Sequence, residues 1–163
     1  MLFRSPRHTW QTFSRNWEVD VQQAFNWTRE ALLLPLDPGS VVIAMSSGAA
    51  VAGSPLSGGY AGAKRMQMFI AKYCQAESDR RELGIRFVAL VPSRVMPETD
   101  LGQAAVNGYA RYLGVPPAKF LENMGARQSP EDVAEAVLDL AVRPPTEAGS
   151  IFTISADGVA AAS

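Results

Sequence analysis

Two short runs of unbroken apolar residues, Val41 to Met45 and Ile85 to Val91, constrain this chain more than any other feature. Turn residues bound both: Pro38, Gly39 and Ser40 precede the first, and Gly84 and Pro92 flank the second. A run of this length that is apolar at successive positions suits a strand covered on both faces, and such strands belong to parallel sheets. Parallel neighbours require a crossover, which in most sheets is a helix.

The intervening sequence has helical spacing. From Asn16 to Leu34 the residues Trp17, Val21, Ala24, Phe25, Thr28 and Leu32 recur three and four apart, and Pro35, Pro38 and Gly39 end the pattern. Ser47 to Gly59 is a Gly/Ser/Ala/Pro stretch that reads as a loop at the C-terminal end of the first strand, where open α/β sheets build their sites. From Tyr60 to Leu83 helical spacing returns through Met66, Phe69, Ile70, Tyr73 and Cys74, and Gly84 closes it. An irregular region after Pro92 runs to Arg127, with short helices expected around 100–113 and 117–124. Ser129, Pro130 and Asp132 then spell an N-cap, a first helical position and a capping box. The spacing places Val133, Val137, Leu138 and Ala141 on the core side of that helix, with Pro144 and Pro145 as its stop. Ser150 to Ser155 is a third strand, and a Gly/Ala tail follows. The alternation predicts an α/β fold, a parallel sheet of about three strands with flanking helices and right-handed crossovers.

With 163 residues the chain fits one domain. Charged residues make up 19% and the formal net charge is -1, which argues against a nucleic-acid surface and against disorder. The lone cysteine, Cys74, rules out an internal disulfide framework and fits a cytoplasmic setting. Neither apolar run approaches the roughly 20 residues that cross a bilayer, and Met1 to Trp10 lacks the apolar core of an export signal. A soluble protein without a membrane partner is expected. His8 reads as a surface residue, no cluster has metal-ligand spacing, and Gly-x-Ser-x-Gly is absent.

Tyr60 and Lys64 stand four apart at the start of a helix and so share a face. An ammonium beside a phenol favours the phenolate, and the positive end of the helix acts in the same sense, so the pair suits acid/base work near neutral pH. By itself, such spacing occurs by chance on many helices. Ser47 lies thirteen residues earlier, where the strand meets the loop.

Together these residues write Ser-Ser-Gly-Ala-Ala-x-x-Gly-x-Pro-x-x-x-x-Tyr-x-x-x-Lys, and the chain resembles the C-terminal part of a short-chain dehydrogenase/reductase from about Trp10 to Gly158. The resemblance implies a partial Rossmann-like, doubly wound fold over 1–163. Within it, 1–15 is an N-terminal segment, 16–97 the catalytic core, 98–127 a substrate-lid-like region and 128–163 the closing helix and strand. It implies NAD or NADP as cofactor and hydride transfer between an alcohol and a ketone or aldehyde. Tyr60 then exchanges the substrate proton, Ser47 bonds the substrate oxygen, and Lys64 holds the nicotinamide ribose. Pro92, Ser93 and Val95 match positions around the nicotinamide, with Ser93 in place of the usual glycine, and Thr99 matches a cofactor-contacting threonine loosely. Asp20 stands where the family has a catalytic asparagine; a carboxylate there either binds Lys64 and weakens its pull on Tyr60 or supports a water relay, and a solvated or capping aspartate is an equal reading. Tyr109, Tyr112, Leu113 and Phe120 in the lid region point to an apolar or aromatic small-molecule substrate.

No glycine-rich strand–turn–helix unit of the kind that holds a dinucleotide's pyrophosphate occurs in the sequence. The strand Val41 to Met45 is therefore expected to lack a neighbour on one side, which makes the isolated polypeptide marginal as a monomer. Homo-oligomerisation through the helices 16–34 and 60–83, with Trp17, Phe25, Met66, Met68 and Phe69 as contacts, is the family's pattern. A non-catalytic remnant acting only by association is the alternative to an enzyme.

Overall fold

The computed structural model describes residues 5–125, 127–142, 149–155 and 158–162. Its centre is a four-stranded sheet in the order β1 (Val41–Met45), β2 (Arg86–Pro92), β3 (Ile151–Ser155) and β4 (Gly158–Ala161). β1, β2 and β3 run parallel, with Val41 opposite Arg86 and Ala89 opposite Ile151. The Gly/Ala tail, expected to be irregular, instead turns back as β4 and pairs antiparallel with β3, Thr153 opposite Ala160. Small residues do not advertise a strand, but pairing to β3 satisfies their backbone groups.

β2 shows why this sheet is parallel and buried. Phe87, Ala89 and Val91 point to one face and Val88 and Leu90 to the other, and all five are buried. On the first face α2 (Gln22–Leu33) and α4 (Gly59–Arg80) bring Ala24, Ala31, Ile70 and Cys74 onto Ile85 and Phe87. On the second, α7 (Pro130–Val142) brings Ala136 and Leu140 onto Val88, Leu90, Phe152 and Ile154. β1 packs on both faces, Val42 on the first and Val41 and Ile43 on the second, but it is only half-buried, with Met45 exposed, so the expected full burial of that run is corrected. Its physical reason is topology: among the described residues β1 pairs with β2 alone.

The long helical segment starts before Asn16. α1 (Trp10–Asn16) leads into a π-turn (Trp17–Val21), in which the Gln22 N–H bonds the Trp17 carbonyl, and then into α2. α2 buries Ala24, Thr28 and Ala31, whereas Trp17 and Phe25, part of the same apolar spacing and named as contacts for a second copy, are exposed. Within the loop 47–59 lies a single helical turn, α3 (Ala49–Ala52), in a stretch whose composition indicates no regular structure. The two short helices after β2 are α5 (Asp100–Leu113) and α6 (Pro117–Met124), as the pattern indicates. The capping box of α7 is present, with the Asp132 N–H donating to Ser129 Oγ at 3.1 Å and the Ser129 N–H to Asp132 Oδ2 at 2.7 Å. Its core face is partly as expected: Val133 and Val137 pack beside the buried Ala136 and Leu140, while Leu138 is 62% exposed and Ala141 is exposed. Pro144, Pro145 and Asp157 lie outside the described residues.

Candidate active site

The C-terminal ends of β1 and β2 meet the N-terminal end of α4, and Ser47, Tyr60 and Lys64 converge there. The ladder continues one residue past β1, with the Ser46 N–H bonding the Leu90 carbonyl, and Ser46 Oγ donates to the Lys64 carbonyl at 2.9 Å. That bond anchors the strand end to the helix. The chain then passes close under the turn after β2: the Gly48 N–H bonds the Pro92 carbonyl at 2.8 Å, and a Cβ on Gly48 would stand 3.1 Å from the Ser93 carbonyl oxygen. A glycine at this crossing lets loop and turn touch.

The Ser47 hydroxyl lies close enough to the Tyr60 phenol to act on its ionisation. Ser47 Oγ also accepts the Ala49 N–H at 3.2 Å, which holds the hydroxyl at the start of α3. The Tyr60 N–H bonds the Ser57 carbonyl as α4 begins. Lys64 lies one turn on, with Nζ 5.7 Å from the centroid of the Tyr60 ring. Its ammonium donates to the Met45 carbonyl at 3.0 Å and pairs with Asp20 Oδ1 at 3.4 Å. The side chains of Lys64 and Asp20 are 14% and 21% exposed, so the pair is largely withdrawn from solvent screening.

The electrostatics differ in sign from the expectation that Lys64 lowers the Tyr60 pKa. Burial pushes the Tyr60 phenol above its ordinary value; the Ser47 hydroxyl pulls the other way, and the negative charge of Asp20 adds to the rise. Desolvation disfavours an anion, and a lysine already paired with a carboxylate presents little net charge to the phenol.

Asp20 arrives through the π-turn. A π-turn inserts an extra residue per turn and re-aims the side chains beyond it, and here two neighbours hold the result. Asn16 Nδ2 donates to Asp20 Oδ2 at 3.4 Å, and the buried Gln67 donates from Nε2 to the Asp20 carbonyl at 3.0 Å. Neither Asn16 nor Gln67 was singled out from sequence. Their signal was available, since Asn16 precedes Asp20 by four and Gln67 follows Lys64 by three, one helical turn in each case. The Met45 carbonyl, a backbone group, left no signal.

The other expected site residues are spread along the turn after β2. Pro92 is buried, and Ser93 is exposed, with its hydroxyl donating to the Ile154 carbonyl at 2.6 Å. Val95 is half-buried. Thr99 is the N-cap of α5: its Oγ1 accepts the Gly102 N–H at 3.0 Å and donates to the Met96 carbonyl at 2.9 Å, so helix capping occupies the hydroxyl. In the lid region Tyr109 stacks on Phe120 at 5.8 Å and shares a hydrogen bond with Ser54, whereas Tyr112 and Leu113 face outward. His8, read as a surface residue, is half-buried: its ring lies against Gly58 and bonds Thr12 Oγ1 at 3.2 Å. Tertiary packing on the loop before α4 covers it. Among the described residues no group of three potential metal ligands is assembled, and no helix is long and apolar enough to cross a membrane.

No protein-family model and no curated protein matches this sequence. Among solved structures, sorbitol-6-phosphate 2-dehydrogenase from Erwinia amylovora superposes with a TM-score of 0.78 at 17% identity, over 93% of this chain and 61% of its own. The 3-ketoacyl-(acyl-carrier-protein) reductase from Brucella melitensis, solved as a complex with NADH, superposes with a TM-score of 0.65 at 21% identity, over 92% of this chain and 58% of its own. The fold is that of a short-chain dehydrogenase/reductase. This short-chain dehydrogenase/reductase fold spans about three-fifths of the solved proteins it matches, so the sheet described above corresponds to part of theirs.

The residues at the end of the sheet suit one part of a nicotinamide dinucleotide. Of the three donors on the Lys64 ammonium, Met45 and Asp20 take two and one is left for a sugar hydroxyl. The half-buried Tyr60 and the turn Pro92–Val95 both lie at the C-terminal end of the parallel strands, where the Gly48 N–H joins the loop before α4 to the Pro92 carbonyl. These residues fit the nicotinamide riboside end. For the diphosphate, no strand–glycine-rich turn–helix unit is found among the described residues.

Proposed function

We propose that this chain carries the proton-transfer end of an NAD(P)-dependent oxidoreductase acting on a small alcohol or its ketone or aldehyde. The observation that carries the reading is the Lys64 ammonium, held by the Met45 carbonyl and Asp20, alongside the Tyr60 ring, with the Ser47 hydroxyl close enough to act on the phenol. A phenol with a hydroxyl partner and a cation one turn away is a proton carrier poised for a substrate oxygen. A bound nicotinamide dinucleotide would supply or take the hydride there. Ser47 orients the substrate oxygen, Tyr60 exchanges its proton, and Lys64 holds the ribose with its remaining N–H; Pro92, Ser93 and Val95 flank the ring, and Thr99 shapes the turn from α5. The NADH complex of the Brucella reductase supports the choice of cofactor.

Titration of the purified chain with NADH and with NADPH, followed by nucleotide fluorescence, tests this. Saturable binding that Lys64→Ala weakens and Tyr60→Phe largely spares is the expected result. Absence of binding at millimolar nucleotide would overturn the reading.

A second reading, association without catalysis, is favoured by the exposed aromatic face of α1, the π-turn, α2 and α4. There Trp17, Phe25, Phe69 and Tyr73 are exposed, Phe69 stacks on Tyr73, and Arg65 covers the Phe69 ring. Met68 is buried and takes no part in that surface. A second copy of the chain is the proposed occupant, and light scattering distinguishes a dimer that Phe25→Glu dissociates from a monomer.

A further inference from the structure

Asp20 has a geometry that a plain proton relay does not require. Its carboxylate faces Lys64 across 3.4 Å, its other oxygen is held by Asn16, and its carbonyl by Gln67. The π-turn therefore presents a fixed negative charge to the ammonium that stands beside the tyrosine. A neutral side chain in this place would leave that ammonium its full charge.

We propose that Asp20 is a positioning residue that takes up the charge of Lys64 and thereby keeps Tyr60 a proton donor, so that the site favours carbonyl reduction over alcohol oxidation at neutral pH. The inference rests on Tyr60 as the proton-transfer group. Reduction uses the phenol and oxidation uses the phenolate. In reduction the phenol O–H bond breaks and its electron pair stays on the phenolate, while a new O–H bond forms on the substrate oxygen. A bound reduced nicotinamide would supply the hydride to the carbonyl carbon and be oxidised in turn, and the phenolate would recover its proton from solvent. The titratable groups facing the phenol are Lys64 on its own helix and Asp20 on the π-turn, with His8 against Gly58 on the loop that enters α4. The upward displacement of the phenol by burial, with Asp20 contributing, acts in the same direction.

The experiment follows tyrosinate absorbance of the whole chain against pH, each protein referenced to its own Tyr60→Phe counterpart, without nucleotide or substrate. Asp20→Asn should move the Tyr60 titration to lower pH, with an ionisation constant about tenfold larger. Lys64→Gln should move it to higher pH, and the double variant should return it close to wild type. Asp20→Glu should restore the wild-type curve, which a merely structural role for the residue would not predict. A titration unmoved or raised in Asp20→Asn would overturn the proposal. If that variant does not fold, an unmoved curve in Lys64→Gln does so instead. Failure to bind nucleotide would leave these curves intact and bear only on the reading of the site as an oxidoreductase.

Discussion

Gly59 opens α4 and is the point at which α1 crosses it. A Cβ there would lie 1.9 Å from the Phe13 carbonyl oxygen and 2.9 Å from its carbon, both backbone atoms that no rotamer change can remove. Ordinary contact begins near 3.4 Å, so Gly59→Ala must part the two helices by about 1.5 Å, the difference between 3.4 and 1.9 Å. Overpacking of this kind costs about 1–3 kcal/mol, and a clash between two backbones belongs in the upper half, about 2–3 kcal/mol. For a domain of this size each kcal/mol lowers Tm by roughly 2–4 °C, giving a fall of about 4–12 °C. Thermal unfolding followed by circular dichroism measures it directly. Because α1 runs into the π-turn, the displacement also reaches Asp20, and the wild-type Tyr60 titration should change with it. A Gly59→Ala protein with the melting temperature of wild type would refute the helix crossing on which the site is built.

Other expectations rest on individual contacts. Ser129→Ala removes the cap of α7 and should cost about 1 kcal/mol, lowering Tm by roughly 2–4 °C, less than Gly59→Ala; an unchanged melt would mean the cap contributes nothing. Burial raises the Cys74 thiol, with a bond to Thr28 acting the other way, so a thiol reagent at neutral pH should modify the native chain more than about tenfold slower than the urea-unfolded one. Equal rates would show that the helix face is open. Tyr60 binds its proton more tightly folded than unfolded, so its contribution to stability is whole below the unfolded value of about 10 and is lost as pH rises through the folded one. Between about pH 9 and about pH 11 the Tm of wild type should therefore fall further than that of Tyr60→Phe, and parallel curves would contradict the burial of the phenol.

What the sequence made legible was what local chemistry encodes. The capping box at Ser129 and Asp132 is a four-residue signature, and the two apolar runs announce parallel strands wherever the helices fall. Tyr60 and Lys64 share a helix face by spacing alone. The remainder depended on contacts between distant segments. β4 forms because β3 offers an edge, although Gly158 and its neighbours have little strand preference of their own. The π-turn at Trp17 to Val21 has no breaker to mark it, so the sequence pattern runs through it as one continuous helix. The upward direction of the Tyr60 displacement has the same origin: the cation four residues away and the carboxylate at Asp20 are both visible in sequence, whereas the desolvation that dominates depends on tertiary packing.

The bond between Tyr109 and Ser54 joins α5 to the loop that leads into α4. Ser54 also meets the Ser57 hydroxyl at 3.1 Å, and the Ser57 carbonyl accepts the Tyr60 N–H at 3.0 Å. Four residues thus form a linkage with α5 at one end and the backbone of Tyr60 at the other. The four act as one brace, so a displacement of α5 is carried to the turn from which Tyr60 projects.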